Sequence, residues 1–513
     1  MDHLRSRRSR ALAVPVGLAL TAALGFLPGA TATAATDQGV SAAPEAAAQE
    51  GPKLSYVVNT ATDKGTFGKV KKAVKRSGAT VVNAHPRIGV IVAHSTDPDF
   101  ADTMRTVEGV QSAGATRTAP LRAAATTEVG RPEKVREPGA SLRAAAAADG
   151  LEPLESLQWD IPAIKADRAA EVNPGSRDVT VAVIDTGVDD THPDLAPNFS
   201  AGQSANCVGG VADTSEGAWR PYTADDYHGT HVAGSIAAAR NDIGVAGVAP
   251  NVKVSSIKVS EPTTSLFYAE AVVCAFVFAA ENGVEVTNNS YYVDPWLYNC
   301  EDDPDQRAIL DAVGRATKYA ERNGAVNVAS AGNAASDLAA DELTDTSSPN
   351  DSKPVPRTIN PSTCLDAPTQ LPGVVTVAAT GVQSLKSYYS NFGLNQIDVA
   401  APGGDRYQVP ELPAKDGRIL STMPEGDYAY LQGTSMAGPH VAGVAALVKS
   451  GRPDASPQEV QWLLKAQANN PGCPTAPYDP DGDGDVDAEC EGTRHINSFY
   501  GFGIVDALAA VEK

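Results

Sequence analysis

Three short segments place an aspartate, a histidine and a serine in settings that suit acyl-transfer chemistry. They are 183-VIDTGVDDTHPDL-195, 228-HGTHVAGSIAA-238 and 433-GTSMAGPHVAGVAAL-447. A serine hydroxyl is a weak nucleophile, so it needs a base to take its proton and an acid to orient that base. Asp185, His228 and Ser435 offer one candidate for each role. The combination predicts a hydrolase with Ser435 as its nucleophile.

Each of these side chains falls at the boundary of a predicted element. Asp185 closes a β-branched run at 179–185, His228 opens a helical pattern, and Ser435 opens another helical pattern after a Gly-Thr turn. In parallel sheets covered by helices, functional groups collect at the carboxyl ends of the strands. A helix N-terminus also directs backbone N–H groups toward an oxyanion. We therefore expect the three side chains to meet at one sheet edge.

The elements that must position them alternate regularly along the chain from about residue 151. The other predicted strands are 252–259, 284–290, 325–331 and 374–380, and the predicted helices are 228–240, 267–282, 305–323 and 435–450. Alternating strands and helices predict an α/β domain with a mostly parallel sheet covered on both sides. We assign this domain to residues 151–513.

Each candidate residue also has a structural explanation when taken alone. Asp185 could be a turn residue at a strand end, and Ser435 could be a helix N-cap. His228 and His231 have the spacing of a metal pair, but the HExxH signature is absent and we predict a structural role for His231. Ser435 is followed by Met436 and Ala437, whereas a nucleophile elbow reads G-x-S-x-G, which disfavours an esterase of the α/β-hydrolase type.

In this chain order the three segments resemble the subtilisin-like serine protease family. The resemblance covers about 155–510 and implies a three-layer α/β fold that hydrolyses peptide bonds without a cofactor for the chemistry. It implies that Asp185 orients His228, that His228 acts as general base and that Ser435 forms an acyl-enzyme. The family's oxyanion asparagine falls at Asn333, within 330-SAGN-333. The competing hypothesis is a secreted binding module that retains the fold without catalysis.

The resemblance also implies a groove in which a polypeptide substrate adds as an extended strand. The residues expected to line it are Ser290, Tyr291, Tyr292, Ser330, Ala331 and Gly332. Tyr291 and Tyr292 stand where the family has small residues, so we predict a narrowed groove and a narrower specificity than that of a digestive subtilisin. Ordinary aromatic packing is the alternative explanation for both tyrosines.

Two segments are candidates for a structural calcium ion. The family's site implies Asp194 and Asn241 as ligands, although Arg240 stands where an oxygen ligand is usual. The acidic segment 479–490 has the spacing of an EF-hand-like loop, with Cys490 in place of the final glutamate. The ligands expected there are Asp479, Asp481, Asp483 and Asp485. A solvated acidic loop without an ion is the alternative.

The first 150 residues indicate export and processing. Residues 1–35 combine basic residues, an apolar stretch and small residues at A-x-A spacing, which is typical of a secretory signal. Residues 54–115 follow a β-α-β-β-α-β order, which predicts a ferredoxin-like unit. By position and pattern this unit resembles the family's inhibitor-type propeptide, which we assign to 54–118. Residues 119–150 are predicted to be an exposed linker that is cut during maturation.

The charge of the chain bears on its partners. A formal net charge of −21 argues against nucleic acid or an anionic membrane as the main partner. We expect an extracellular monomer. Its expected partners are polypeptide substrates and its own propeptide. The predicted propeptide is basic. Its first helix carries Lys69, Lys71, Lys72, Lys75 and Arg76. We predict that this charge favours association of the propeptide with the acidic catalytic domain, and a solvated helix face is the alternative.

The six cysteines all lie beyond residue 150. An even number in an exported protein favours up to three disulfides. We predict a bond between Cys473 and Cys490, because it would close an otherwise loop-like stretch. Cys274 lies in an apolar helical pattern, so a buried thiol is an alternative to a disulfide there.

Overall fold

The computed structural model describes residues 52–118, 131–135, 144, 146–262 and 264–512. The predicted signal peptide, 1–35, and most of the predicted linker lie outside these residues. Residues 50–513 belong to one compact unit, so contacts within it can be followed from the small N-terminal part to the large one. Among the described helices, none is both long and apolar enough to cross a membrane.

Residues 54–115 form the predicted β-α-β-β-α-β unit. Its elements are β1 (Leu54–Thr60), α1 (Lys64–Arg76), β2 (Thr80–His85), β3 (Val90–Ser95), α2 (Phe100–Arg105) and β4 (Val110–Ala115). The strands pair antiparallel in the order β2-β3-β1-β4. Along β1 the side chains alternate between the two faces. Tyr56 and Val58 pack with both helices, whereas Val57 packs on the opposite side against the large domain.

The large domain is built on a seven-stranded sheet. After the small unit the elements are β5 (Glu133–Lys134), α3 (Asp160–Ala163), α4 (Ala166–Val172), β6 (Thr180–Asp185), β7 (Ala205–Asn206), α5 (His228–Ala237), β8 (Lys253–Lys258), α6 (Ala269–Glu281), β9 (Val286–Asn289), β10 (Asn299–Cys300), α7 (Pro304–Arg322), β11 (Val326–Ser330), β12 (Leu343–Asp345), β13 (Arg357–Ile359), β14 (Cys364–Leu365), β15 (Val374–Thr380), β16 (Val399–Pro402), β17 (Ile419–Met423), β18 (Asp427–Leu431), α8 (Thr434–Gly451), α9 (Pro457–Ala466) and α10 (Ala507–Val511). The strand order is β16-β15-β11-β9-β6-β8-β7, and every pair is parallel.

Three layers result because the central strands bury both faces. In β6, Val181 and Val183 pack with α5 and α8 on one side, while Ala182 and Ile184 pack with α6 and α7 on the other. All six residues of β6 are buried, as a β-branched run in a parallel sheet predicts. The α/β fold expected from the sequence is therefore confirmed, with Asp185 at the carboxyl end of a central strand.

The small unit rests on α6 and α7 through the face of its sheet that carries Val57 and Val90. Helix α1 lies on the other face, and its Lys69, Lys72 and Lys75 are exposed. This helix therefore fits the alternative of a solvated face, and its exposed lysines do not account for docking on the acidic domain. Arginines form the ion pairs described between the small unit and the large domain, because they lie at the end of α2, in a loop and after β4, where the small unit borders the large one. The cross-interface ion pairs are Arg87–Glu281, Arg105–Asp305, Arg117–Glu261 and Arg117–Glu270.

Covalent and edge contacts complete the large domain. The disulfides are Cys207–Cys274, Cys300–Cys364 and Cys473–Cys490. The predicted pairing of the last two cysteines is thus present, and the buried-thiol alternative for Cys274 is wrong. Part of the predicted linker is also ordered into the fold, because β5 pairs antiparallel with β18 through Lys134 and Ala429.

Candidate active site

Asp185 and His228 meet at the carboxyl end of the sheet. His228 Nδ1 lies 2.8 Å from Asp185 Oδ1 and 3.0 Å from Oδ2. The backbone N–H of Thr186 donates to Asp185 Oδ1 at 2.7 Å, and Thr186 Oγ1 accepts from Gly229 N at 3.0 Å. These bonds hold the end of β6 against the first turn of α5. A carboxylate on Nδ1 places the imidazole proton there, which leaves Nε2 to act as a base.

Ser435 lies in the first turn of α8 and is buried beside the end of β9. The hydroxyl of Ser290 donates to the backbone oxygen of Ser435 at 3.1 Å. The hydroxyl of Ser435 lies 3.4 Å from the backbone oxygen of Ser290. The start of α8 is therefore held against the segment that follows β9. A nucleophile in this position has backbone N–H groups of the helix close to it.

Asn333 follows β11 and reaches the same helix start. Its Oδ1 accepts hydrogen bonds from the backbone N–H and the hydroxyl of Thr434, both at 2.8 Å. Asn333 and Ser435 line the same cavity, so the side-chain amide lies beside the nucleophile. A side-chain amide and a helix N-terminus next to a nucleophilic hydroxyl are groups from which an oxyanion hole can be built.

The two other histidines near this site have structural roles. His231 Nε2 bonds to the backbone oxygens of Ile419 and Ala429 at 3.2 and 3.0 Å, and burial lowers its pKa to about 3. The metal-pair explanation of His228 and His231 is therefore wrong, because each ring is already committed to a separate partner. His440 is fully buried and contacts Asp160 Oδ2 at 2.9 Å.

A cavity of about 150 Å³ opens beside Ser435. Its lining includes five of the six residues expected in the substrate groove, namely Ser290, Tyr291, Tyr292, Ser330 and Gly332. Ala331 does not fit that expectation, because its side chain is buried in another cluster. Its backbone N–H and oxygen are also bonded to Val377 and Asn391. The lining further includes Leu297, Ser347 and Asp366, which no motif in the sequence indicates.

Tyr291 fits the aromatic-packing explanation, whereas Tyr292 fits the groove explanation. Tyr291 is buried, stacks on Phe267 with ring centroids 4.8 Å apart, and donates its hydroxyl to Asn289 Oδ1. It therefore serves the core while its edge reaches the cavity. Tyr292 is less buried, and its hydroxyl accepts from Asn350 Nδ2 at 2.8 Å. Tyr292 contributes to the cavity wall as the groove hypothesis expects.

Comparison with known proteins identifies the family. The sequence profile of the subtilase family, Peptidase S8, matches residues 176–503. The chain belongs to this family of serine proteases. It is similar to subtilisin DY of Bacillus licheniformis, with 33% identity over 322 residues that cover 62% of this chain and 93% of that protein. An alkaline protease of Alkalihalobacillus alcalophilus is 32% identical over 318 residues, covering 62% of this chain and 66% of that one.

A solved structure extends the likeness of this subtilase beyond the catalytic domain. The epidermin leader peptide processing serine protease of Staphylococcus aureus superposes with a TM-score of 0.62 at 25% identity. The superposition covers 90% of this chain and 98% of that chain. The profile match spans residues 176–503, so the superposition extends over more of the chain than the profile does.

The first predicted cation site of this subtilase fits an ion in part. Burial, together with the nearby Glu152, raises the pKa of Asp194 to about 7, so a cation would stabilise this carboxylate. Its Oδ2 accepts from Val245 N and the hydroxyl of Tyr428, both at 3.0 Å. Arg240, which could have replaced the ion, pairs with Glu155 instead. Calcium at Asp194 and Asn241 therefore stays a prediction.

The second predicted site brings only some of its residues together. Side-chain oxygens of Asp479, Asp481 and Asp483 lie within 4.8 Å of one another, and this group does not include Asp485. Asp479 accepts from the backbone N–H groups of Gly482 and Gly484, so the loop is closed by its own hydrogen bonds. Asp485 as a further ligand stays a prediction, and its backbone N–H donates to Asp483 Oδ1 at 2.9 Å. The three remaining carboxylates are a hard-cation donor set of incomplete size.

Proposed function

We propose that this subtilase is a secreted serine endopeptidase that cleaves peptide bonds through an acyl-enzyme on Ser435. The observation that carries the proposal is the cavity that Ser435 and Asn333 line together, which sets a side-chain amide beside the nucleophile. A binding module that merely kept the fold would have no need for such a volume. The bonded pair of Asp185 and His228 supports the same conclusion.

The reaction follows from the roles of these groups. His228 Nε2 takes the proton of the Ser435 hydroxyl as Oγ attacks the peptide carbonyl carbon. The oxyanion accepts hydrogen bonds from Asn333 Nδ2 and Ser435 N, and Asp185 stabilises the imidazolium. As the intermediate collapses, the C–N bond breaks and His228 returns the proton to the leaving amine. Water then attacks the acyl-enzyme by the same route, which releases the acid and restores Ser435.

We further propose that the chain is made as a zymogen, with residues 54–118 as an inhibitory propeptide. Its described end lies close to the cavity wall. Thr118 N donates to Asp351 Oδ2 at 2.8 Å, and the neighbouring Asn350 contacts Tyr292 of the wall. The last described residue of the small unit therefore lies beside the groove, which supports an inhibitory position for that unit.

Secretion is the third part of the proposal. Three disulfides indicate an oxidising compartment, since such bonds are rare in reducing cytosol. The predicted signal at 1–35 provides the route. N-terminal sequencing of the exported product tests both steps. It should begin beyond residue 118, and an exported product that begins at residue 36 would contradict the zymogen proposal.

A fluorophosphonate probe tests the catalytic claim. We expect the processed protein to be labelled, and Ser435→Ala to abolish both labelling and peptide hydrolysis. Ser347→Ala is the matched control, because Ser347 lines the same cavity but should keep the label. Failure of the wild-type protein to react would favour the binding module. Labelling together with hydrolysis of lipid esters and no hydrolysis of peptides would favour an esterase.

A further inference from the structure

The cavity beside Ser435 contains one charged side chain, Asp366, among the residues that line it. Asp366 is 2% exposed. Its Oδ1 is buried and has no hydrogen-bond donor in the described structure. Burial raises the pKa of Asp366 well above its usual range. A buried carboxylate without a partner is costly, and proteins keep such groups mainly where a ligand completes them.

The fold holds Asp366 in this place by its backbone. It follows β14, which is attached to β10 by the bond between Cys300 and Cys364. The backbone N–H of Asp366 donates to Gln370 Oε1 at 2.9 Å, and its backbone oxygen accepts from Gln370 N at 2.8 Å. Gln370 thus fixes the main chain of Asp366, while the side-chain carboxylate lines the cavity.

The walls around Asp366 suit a long side chain with a cationic end. A β-carbon built on Gly332 would lie 3.7 Å from Asp366 Oδ2, so the carboxylate lies next to Gly332 in the cavity wall. Tyr292 and Leu297 provide apolar surface on the way in. Arg357, a nearby cation, is already bonded to Asp345. An alkyl chain can therefore pack on the walls while a guanidinium or ammonium reaches the acid.

We propose that Asp366 forms the floor of the pocket for the residue whose carbonyl Ser435 attacks, and that it selects arginine or lysine there. This inference rests on the proposed function, because it assumes that Ser435 is the nucleophile. Asp366 acts on specificity through a contact with the substrate side chain. It takes no part in proton transfer.

The test compares peptides that differ only at the residue before the scissile bond, with Arg, Lys, Leu, Phe or Glu there. The self-processed full-length product is used, and kcat/KM is measured for each peptide. We expect Arg and Lys to exceed Leu, and Asp366→Asn to reduce the Arg/Leu ratio on the order of 10²–10³-fold. The ratio cancels the active fraction, so a partly folded variant still gives a valid result.

Asp294→Asn is the matched control. Asp294 is a buried aspartate of the same region, and it bonds to Phe267 N and to Asn350 rather than standing alone. Its replacement should leave the Arg/Leu ratio within threefold of the wild-type value. An equal drop in both variants would overturn the inference, as would a wild-type preference for Leu or Phe. In either case active hydrolysis would leave the proposed function intact, whereas no hydrolysis of any peptide would end both.

Discussion

Arg117 should contribute strongly to the binding of the small unit 54–118, the proposed propeptide, to the large domain. Its side chain is 11% exposed and pairs with Glu261, 11% exposed, and Glu270, 1% exposed. The guanidinium also lies 3.9 Å from the ring centre of Tyr268. Burial raises the pKa of Glu270, but Arg117 together with hydrogen bonds from the Glu270 backbone and Thr116 outweighs burial, and the pKa is lowered. Removing Arg117 would leave two acids buried without their cation.

The magnitude follows from that burial. Removing one member of a buried ion pair costs about 3–5 kcal/mol, which corresponds to roughly 10²–10³-fold in a binding constant. Arg87 provides a matched control at the same interface. It pairs with Glu281, but the two side chains are 69% and 46% exposed. An exposed pair contributes about 0–1 kcal/mol, so its loss should change binding by no more than about fivefold.

The assay is inhibition of the processed enzyme by a polypeptide spanning residues 36–118. The inhibition constant is compared for the wild-type polypeptide, Arg117→Ala and Arg87→Ala. Glu270→Gln in the enzyme completes a double-mutant cycle, and the cycle isolates the pair from any effect of Arg117→Ala on propeptide folding. Equal inhibition by the two arginine variants, or a cycle with no coupling, would refute the reasoning.

Three further predictions address chemistry and pH. Asn333→Ala should lower kcat by about 10²–10³ with little change in KM in steady-state kinetics, the size known for loss of such a donor in subtilisin. Burial at the interface lowers the pKa of His85 from 6.5 to about 4. Inhibition by the 36–118 polypeptide should therefore weaken as the pH falls from 7.5 to 5.5, roughly tenfold at pH 5.5. His85→Gln should remove that pH dependence. Because the pKa of Asp366 is raised, the Arg/Leu ratio of kcat/KM should rise with pH, since only the ionised acid attracts a guanidinium.

Each of these predictions has a distinct contrary result. An effect of Asn333→Ala on KM alone would mean that the amide binds the ground state. Inhibition that tightens in acid would reverse the sign expected for His85, whose lowered pKa means that the complex excludes a proton. An Arg/Leu ratio independent of pH would remove Asp366 from the substrate pocket.

Much of the fold can be predicted from local sequence. Strand β15 was expected at 374–380 and is found at Val374–Thr380, and α7 was expected at 305–323 and is found at Pro304–Arg322. Such elements follow from β-branched runs and helical periodicity, which are properties of neighbouring residues. The order of the small unit could be predicted for the same reason.

The face by which the small unit docks could not be predicted in this way. Tyr56, Val57 and Val58 are consecutive and all buried, so alternation along β1 does not say which face receives the two helices and which meets the large domain. The basic residues of α1 did not indicate the docking face either. Only packing decides this, because each apolar face must find a partner of matching shape.

The residues of the proposed triad could be identified from sequence alone, because Asp185, His228 and Ser435 each lie in a motif whose meaning is local. The partners of the four cysteines before Cys473 and the place of Asp366 were decided by tertiary structure. Asp366 reaches the cavity because β14 is attached to β10 and because Gln370 holds its backbone. Burial of its carboxylate depends on residues from several separate segments, and no local pattern of residues encodes that environment.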